Sequence, residues 1–211
     1  LLGRQLQEHA IPGLVPEVRI APYLEPAPDG LPLMRARITY NDARPARGTR
    51  EEFRVAPSLI GRGLIARVAE PEIVNRADPQ DLDGDGIKGR VRIVSTPEGS
   101  RIGRFGLKAT GVSIADQTAD AMMLDMGLSS PFRPEPYGDC TAAQIKCLAN
   151  ANGRSPSSDG EEISRAMIEM VAAYVATLTL RRVPVDAEAE RVLAATGCAA
   201  CHVPTLKSEN G

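Results

Sequence analysis

The chain has 211 residues, 43% of them hydrophobic, which suits one or two globular domains with a packed core. A formal net charge of -2 provides no basic surface that would draw nucleic acid or an anionic membrane as an obligate partner. No apolar run approaches the roughly 20 residues that span a bilayer, so no transmembrane segment is expected.

Leu1-Leu2-Gly3 carries neither an initiating Met nor a signal-peptide pattern, and Gly211 follows shortly after His202, so the chain reads as a fragment of a longer protein. Residues 1–60 are punctuated by Pro12, Pro16, Pro22, Pro26, Pro28 and Pro32, which forbid long helices. Val18-Arg19-Ile20 and Met34 to Tyr40 alternate in part and flank Pro28-Asp29-Gly30, which is turn chemistry. A β-hairpin is expected there. Leu59 to Ile65 is apolar and Gly-rich, and Pro71 to Arg76 reads as a short helix with proline in its first turn.

Asp81-Leu82-Asp83-Gly84-Asp85-Gly86-Ile87 places carboxylates at alternate positions around a Gly-rich turn, a spacing that lets side chains converge on a hard cation. Asp81, Asp83, Asp85 and the Ile87 carbonyl are candidate calcium ligands, with Asp78 a further contributor. Arg92 stands where an EF-hand carries its bidentate Glu, so the remaining ligands would come from elsewhere. The alternative is a polar turn whose aspartates cap neighbouring amides.

Ser113-Ile114-Ala115-Asp116 heads a helix running through about Asp125, with Asp116 near the capping-box position and Gly127 as the stop. Pro131, Pro134, Pro136 and Gly138 mark a loop in which Cys140 and Cys147 can close a small structural disulfide in an oxidising compartment. A buried or reactive thiol pair is the alternative. Glu161 to Leu180 is the strongest helix, returning Ile163, Met167, Met170, Val171, Tyr174 and Leu178 to one face. Its methionines read as core and not as iron ligands.

Asp186 to Ala195 reads as a capped helix running into Thr196-Gly197. Cys198-Ala199-Ala200-Cys201-His202 follows, the CxxCH attachment signature of a c-type haem. Two thiols at this spacing form thioethers to the porphyrin vinyls, and the adjacent imidazole ligates the iron. Cys198 and Cys201 are therefore the candidate haem anchors and His202 the candidate iron ligand. The competing readings are a chance CxxC and a zinc site with His202, for which His9 is the only other histidine, while Cys140 and Cys147 are spaced too widely for a short knuckle. Covalent attachment needs reduced thiols delivered outside the cytoplasm, so the periplasm is the expected compartment.

The motifs Gln5-Leu6-Gln7, Ala10-Ile11-Pro12-Gly13, Arg54 to Gly61, the Asp-rich loop, Gly103-Arg104-Phe105-Gly106, Asp125-Met126-Gly127 and the late CxxCH occur in this order. That order resembles the di-haem oxidoreductases related to bacterial cytochrome c peroxidase, often labelled thiol oxidoreductases. The resemblance implies two c-type haems, the second held upstream of Leu1, with the haem at His202 serving electron entry. It implies a mainly α fold with a small β portion, cytochrome c-like helical domains carrying a β-hairpin insertion. Residues 1–160 would be the inter-domain region with part of an N-terminal haem domain, and 161–211 the start of a C-terminal haem domain.

In the peroxidase relatives a Gln followed by Glu-Met-Gly lies near the distal face of the peroxidatic haem. Gln117 and Asp125 match here, with Asp125 in place of the glutamate. Such a carboxylate moves a proton between the peroxide oxygens, and such an amide holds the ligand. A helix-surface Gln and a helix-end cap are the plain structural readings of the two. Leu107 stands where many relatives carry Trp, while Arg104 and Lys108 are either partners of haem propionates or solvated surface charge. The resemblance implies a periplasmic di-haem c-type oxidoreductase that takes electrons from a donor protein or small redox carrier and reduces peroxide or a related oxidant. The alternatives are a non-enzymatic c-type electron-transfer module and a calcium-stabilised structural bridge.

Overall fold

The structure, a computed structural model, describes residues 2–41, 44–180, 184, 186–203 and 205–209. Strands β1 (Val18–Pro26) and β2 (Pro32–Tyr40) pair antiparallel in a register running from Val18 opposite Tyr40 to Pro26 opposite Pro32. The hairpin is longer than its alternation announces. In a two-stranded sheet both strands are edges, so the amides missing at Pro22, Pro26 and Pro32 cost little. Its turn closes through Gly30 N–H to the Ala27 carbonyl at 2.9 Å and Leu31 N–H to the Asp29 carboxylate at 3.1 Å.

Helices α1 (Arg62–Ala66) and α2 (Glu70–Val74) are short, the second with Pro71 in its first turn. Strands β3 (Ile93–Thr96) and β4 (Gly99–Ile102) form a second hairpin around Pro97-Glu98. Helix α3 (Ile114–Met126) starts where Asp116 N–H donates to Ser113 Oγ at 3.0 Å and the Asp116 carboxylate accepts Val112 N–H at 3.0 Å. It ends at Gly127, whose φ of 71° lets Gly127 and Leu128 return N–H bonds to Met123 and Met122 at 3.0 Å each. Helices α4 (Ile145–Leu148), α5 (Arg165–Thr177) and α6 (Ala187–Ala195) complete the set.

Helix accounts for only 27% and strand for 16%, which overturns the expected mainly α class with cytochrome c-like helical domains. The cause lies in the punctuation: 17 prolines and 19 glycines interrupt the chain, and among the described residues only α3 and α5 reach 13 residues. Apolar runs such as Leu59 to Ile65 deliver one short helix each. No helix among the described residues is long and apolar enough to cross a membrane.

The chain forms two compact units, Leu1–Pro57 with Ala119–Ile168, and Ser58–Thr118 with Glu169–Gly211. In the first, Val18, Ala119, Met123 and Ile168 are buried beside Ser129 and Ser130. Glu162 closes this core by accepting Ser129 N–H at 2.9 Å, Ser129 Oγ–H at 3.1 Å and Gly153 N–H at 2.8 Å. Burial works to raise its pKa, but those donors and Arg154 outweigh it and hold the carboxyl below the usual glutamate value.

In the second unit Phe105, Ala172 and Val175 are buried, and Phe105 exchanges backbone bonds with Gly111 at 2.9 and 2.8 Å. Arg104 beside it is a half-buried cation held by protein acceptors. Its side chain is 10% exposed and donates to the Ala66 and Val68 carbonyls at 3.1 and 2.7 Å. Gly63 lets α1 approach the end of α5, since a Cβ there would fall 2.2 Å from the Ala176 carbonyl oxygen. The buried face of α5 is Ile168, Ala172 and Val175, whereas Met167, Met170 and Tyr174 are 51%, 65% and 66% exposed. The methionine stripe is therefore not core.

Replacing Glu162 by Ala strands the buried Ser129 amide and is expected to destabilise the protein by about 1–3 kcal/mol in urea denaturation at neutral pH. Because the folded carboxyl is shifted down, its contribution is complete above the ordinary value of 4.5 and is lost as pH falls through the folded value. The gap between wild type and variant should therefore narrow below that pH. A constant gap at all pH values contradicts this account.

Candidate functional site

The CxxCH sequence is presented by local geometry. The Asp186 carboxylate caps α6 by accepting Glu188 N–H at 3.0 Å, and Gly197, with φ of 77°, turns the chain into a 3-10 turn over Cys198–Ala200. His202 N–H and Cys201 N–H both return to the Cys198 carbonyl, at 2.8 and 3.2 Å. Both thiols are exposed and unbonded to any other sulfur, and the Thr196 hydroxyl lies 3.3 Å from Cys198 Sγ. The donor set fits a covalently held haem: two reduced thiols and an imidazole on one turn, all three exposed. Cys140 and Cys147 are joined to each other with their Cα atoms 6.5 Å apart, so neither is a thiolate, which removes the zinc reading that needed them.

In the first unit, the N-terminal segment, the end of α3 and the loop around the disulfide line a cleft of about 340 Å³. Its walls mix apolar Ile11, Leu14, Met123 and Leu128 with His9 and Asp125. Gln117 does not line it. The two residues stand eight positions apart on α3, about 12 Å by helix rise, so the structure does not bring them together. Asp125 is instead met by Gln5, whose side-chain amide donates to Asp125 Oδ1. Two residues on, Gln7 Nε2 donates to the Leu124 carbonyl at 2.6 Å. The signal for this pair was the Gln5-Leu6-Gln7 motif, which a sequence reading singles out without saying what it touches.

The same neighbourhood is tied to the disulfide loop. Asp139, next to Cys140, accepts Arg4 N–H and Gln5 N–H at 2.5 and 3.0 Å. Gln144, inside the loop, donates to Glu17 Oε1 at 2.5 Å, and Glu17 Oε2 accepts Gln7 N–H at 2.9 Å.

In the Asp-rich loop the carboxylates that converge are those of Asp78, Asp81 and Asp83, with ligand atoms within 4.8 Å of one another. Asp85 is not among them; it accepts Ile87 N–H at 2.7 Å. Asp78 accepts Leu82 N–H at 2.8 and 2.9 Å, Asp81 accepts Gly86 N–H at 3.0 Å, and Asp83 accepts Asp85 N–H at 3.2 Å. These are the amide caps of a polar turn. Thermal melting in millimolar Ca²⁺ against a chelator separates the readings of this loop. A raised midpoint that Asp81→Asn abolishes is the calcium outcome, and an unchanged midpoint is the polar-turn outcome.

A family model described as "Di-haem oxidoreductase, putative peroxidase" matches residues 36–211. The chain belongs to this family of di-haem oxidoreductases, whose cofactor is haem. No curated protein and no solved structure matches it. The CxxCH sequence, Asp125 and the Asp-rich loop all fall inside the matched residues, and Gln5 and His9 fall outside them.

Reducing the Cys140–Cys147 bond, which closes a loop of sequence separation 7, is expected to lower stability by about 2–3 kcal/mol on the chain-entropy model. Urea denaturation with and without a thiol reductant, repeated on Cys140→Ser, measures it. Identical midpoints would mean that the tie adds nothing.

Proposed function

We propose that this oxidoreductase acts in the periplasm, takes electrons from a donor protein or a small redox carrier, and reduces peroxide or a related oxidant. The observation that carries the reading is the exposed, unbonded pair of thiols followed by His202 on one turn, in a chain that belongs to the di-haem oxidoreductases. Cys198 and Cys201 would hold one haem by thioethers and His202 would ligate its iron. Bound haem would supply a redox-active iron that passes the donor's electrons to the oxidant.

Asp125 supplies the proton handling. Reduction of a peroxide takes up two electrons and two protons, breaks the O–O bond and releases two waters. A carboxylate in reach of both oxygens takes the proton from the inner oxygen and gives it to the outer one, which then departs as water. Asp125 suits this role because it lines a cleft open enough to admit a small oxidant. The disulfide between Cys140 and Cys147 supports an oxidising compartment, as such bonds are rare in the cytosol of mesophiles.

The test is expression of the complete gene product with a cytochrome c maturation system. The intact mass should show covalent haem, and Cys198→Ser with Cys201→Ser should remove one haem equivalent. Asp125→Asn should keep full haem content and lose about 10²- to 10⁴-fold in peroxide turnover. Two inert haems with both axial positions filled, and peroxide consumption no faster than background, would leave an electron-transfer module instead.

A further inference from the structure

We infer that Gln5 is a positioning residue for Asp125: its side-chain amide holds the carboxylate that handles protons in a single orientation. The inference rests on the proposed peroxide reduction. Asp125 sits in the last turn of α3 with its side chain exposed, and an exposed aspartate is free to change rotamer. Proton transfer between two oxygens of one small molecule needs the carboxylate held in place, since misplacement by about 1 Å costs up to about 10²-fold in rate. Gln5 Nε2 donates to Oδ1, which assigns Oδ2 to the exchanging proton.

Gln5 can impose this orientation because its own backbone is fixed. Its N–H and that of Arg4 both end on Asp139 Oδ2, at 3.0 and 2.5 Å. Gly3 lets the segment come this close, because a Cβ there would stand 2.4 Å from Asp139 Cγ. Gln7 binds the neighbouring Leu124 carbonyl at 2.6 Å, so the segment is held on both sides of the contact. The residue type also suits the task. A primary amide donates without carrying charge and does not titrate, so it keeps its hold whether the carboxyl has just taken or just given a proton. An Arg or Lys at this position would bias the carboxyl toward its ionised form.

A double-mutant cycle on the full-length, haem-loaded protein tests this. Gln5→Leu is expected to lower kcat for peroxide about 10- to 100-fold with KM and the thermal midpoint little changed. Gln5→Asn, which keeps the backbone bonds to Asp139 but is one methylene too short to reach, should show the same loss. Neither substitution should cost anything further in an Asp125→Asn background, because the two residues act as one unit. Additive losses, or wild-type kcat in Gln5→Asn, overturn the inference. A readout free of turnover is the side-chain amide resonance of Gln5 in the reduced, ¹⁵N-glutamine-labelled protein. It should move in Asp125→Asn, and an unmoved resonance overturns the contact itself. If the resonance moves while Asp125→Asn retains full turnover, the proposed peroxide chemistry of Asp125 fails and the positioning role falls with it.

Discussion

The first unit is organised by the need to satisfy the carbonyls at the end of α3. The last turn of a helix leaves acceptors that the helix itself cannot pair. Here Met122 and Met123 are served by the N–H groups of Leu128 and Gly127, and Leu124 by the side chain of Gln7. Gly138 packs so near this end that a Cβ would lie 2.8 Å from the Met123 carbonyl oxygen. Three stretches distant in sequence, around residues 5–7, 127–128 and 137–139, thus meet at one helix terminus. The cleft and Asp125 are consequences of that meeting.

A segment with no regular secondary structure can be held this way only if other constraints offset its conformational entropy, about 1–2 kcal/mol for each residue fixed. Residues 3–17 carry no helix or strand, and their order comes from a few backbone bonds, such as Glu17 N–H to the Gln7 carbonyl at 3.0 Å, and from side chains: Asp139 and Glu17 accept backbone N–H groups, and Gln5, Gln7 and Gln144 donate. The Cys140–Cys147 bond lies beside Asp139 and encloses Gln144, so a short covalent loop fixes two of the five partners. Charge is arranged economically here, because the two carboxylates are met by neutral donors and no cation is brought into the cleft by these bonds.

How much of this could be read beforehand depended on the range of each interaction. The start of α3 at Ser113 and Asp116, its stop at Gly127, the Asp186 cap of α6 and the Pro28-Asp29-Gly30 turn are all local, and each stands where its residues place it. Helix content falls below what the sequence suggests because apolar periodicity persists beyond the hydrogen-bonded helix. Glu161 to Leu180 has the pattern, and only Arg165–Thr177 has the helix. The covered face of α5 differs from the expected one for a related reason: Ile168, Ala172 and Val175 have as good a helical spacing as Met167, Met170 and Tyr174, and period alone does not say which stripe is covered. Arg104 looks like surface charge until the Ala66 and Val68 carbonyls, more than thirty residues away, are seen to accept from it.

The two sets of proposed functional residues divide along the same line. A haem-attachment sequence needs only the correct spacing of two thiols and an imidazole, which five consecutive residues and one turn provide, so its chemistry is legible in the sequence itself. The carboxylate proposed to handle protons needs a fixed environment, and neighbours in sequence cannot supply it: Gln117, on the same helix, is two turns away from Asp125. The amide that does reach Asp125 comes from 120 residues away and depends for its placement on Asp139. Family likeness carried to single positions is therefore safest where the motif is contiguous. Where the group acts through partners assembled by the fold, the contacts of this chain have to be read one at a time.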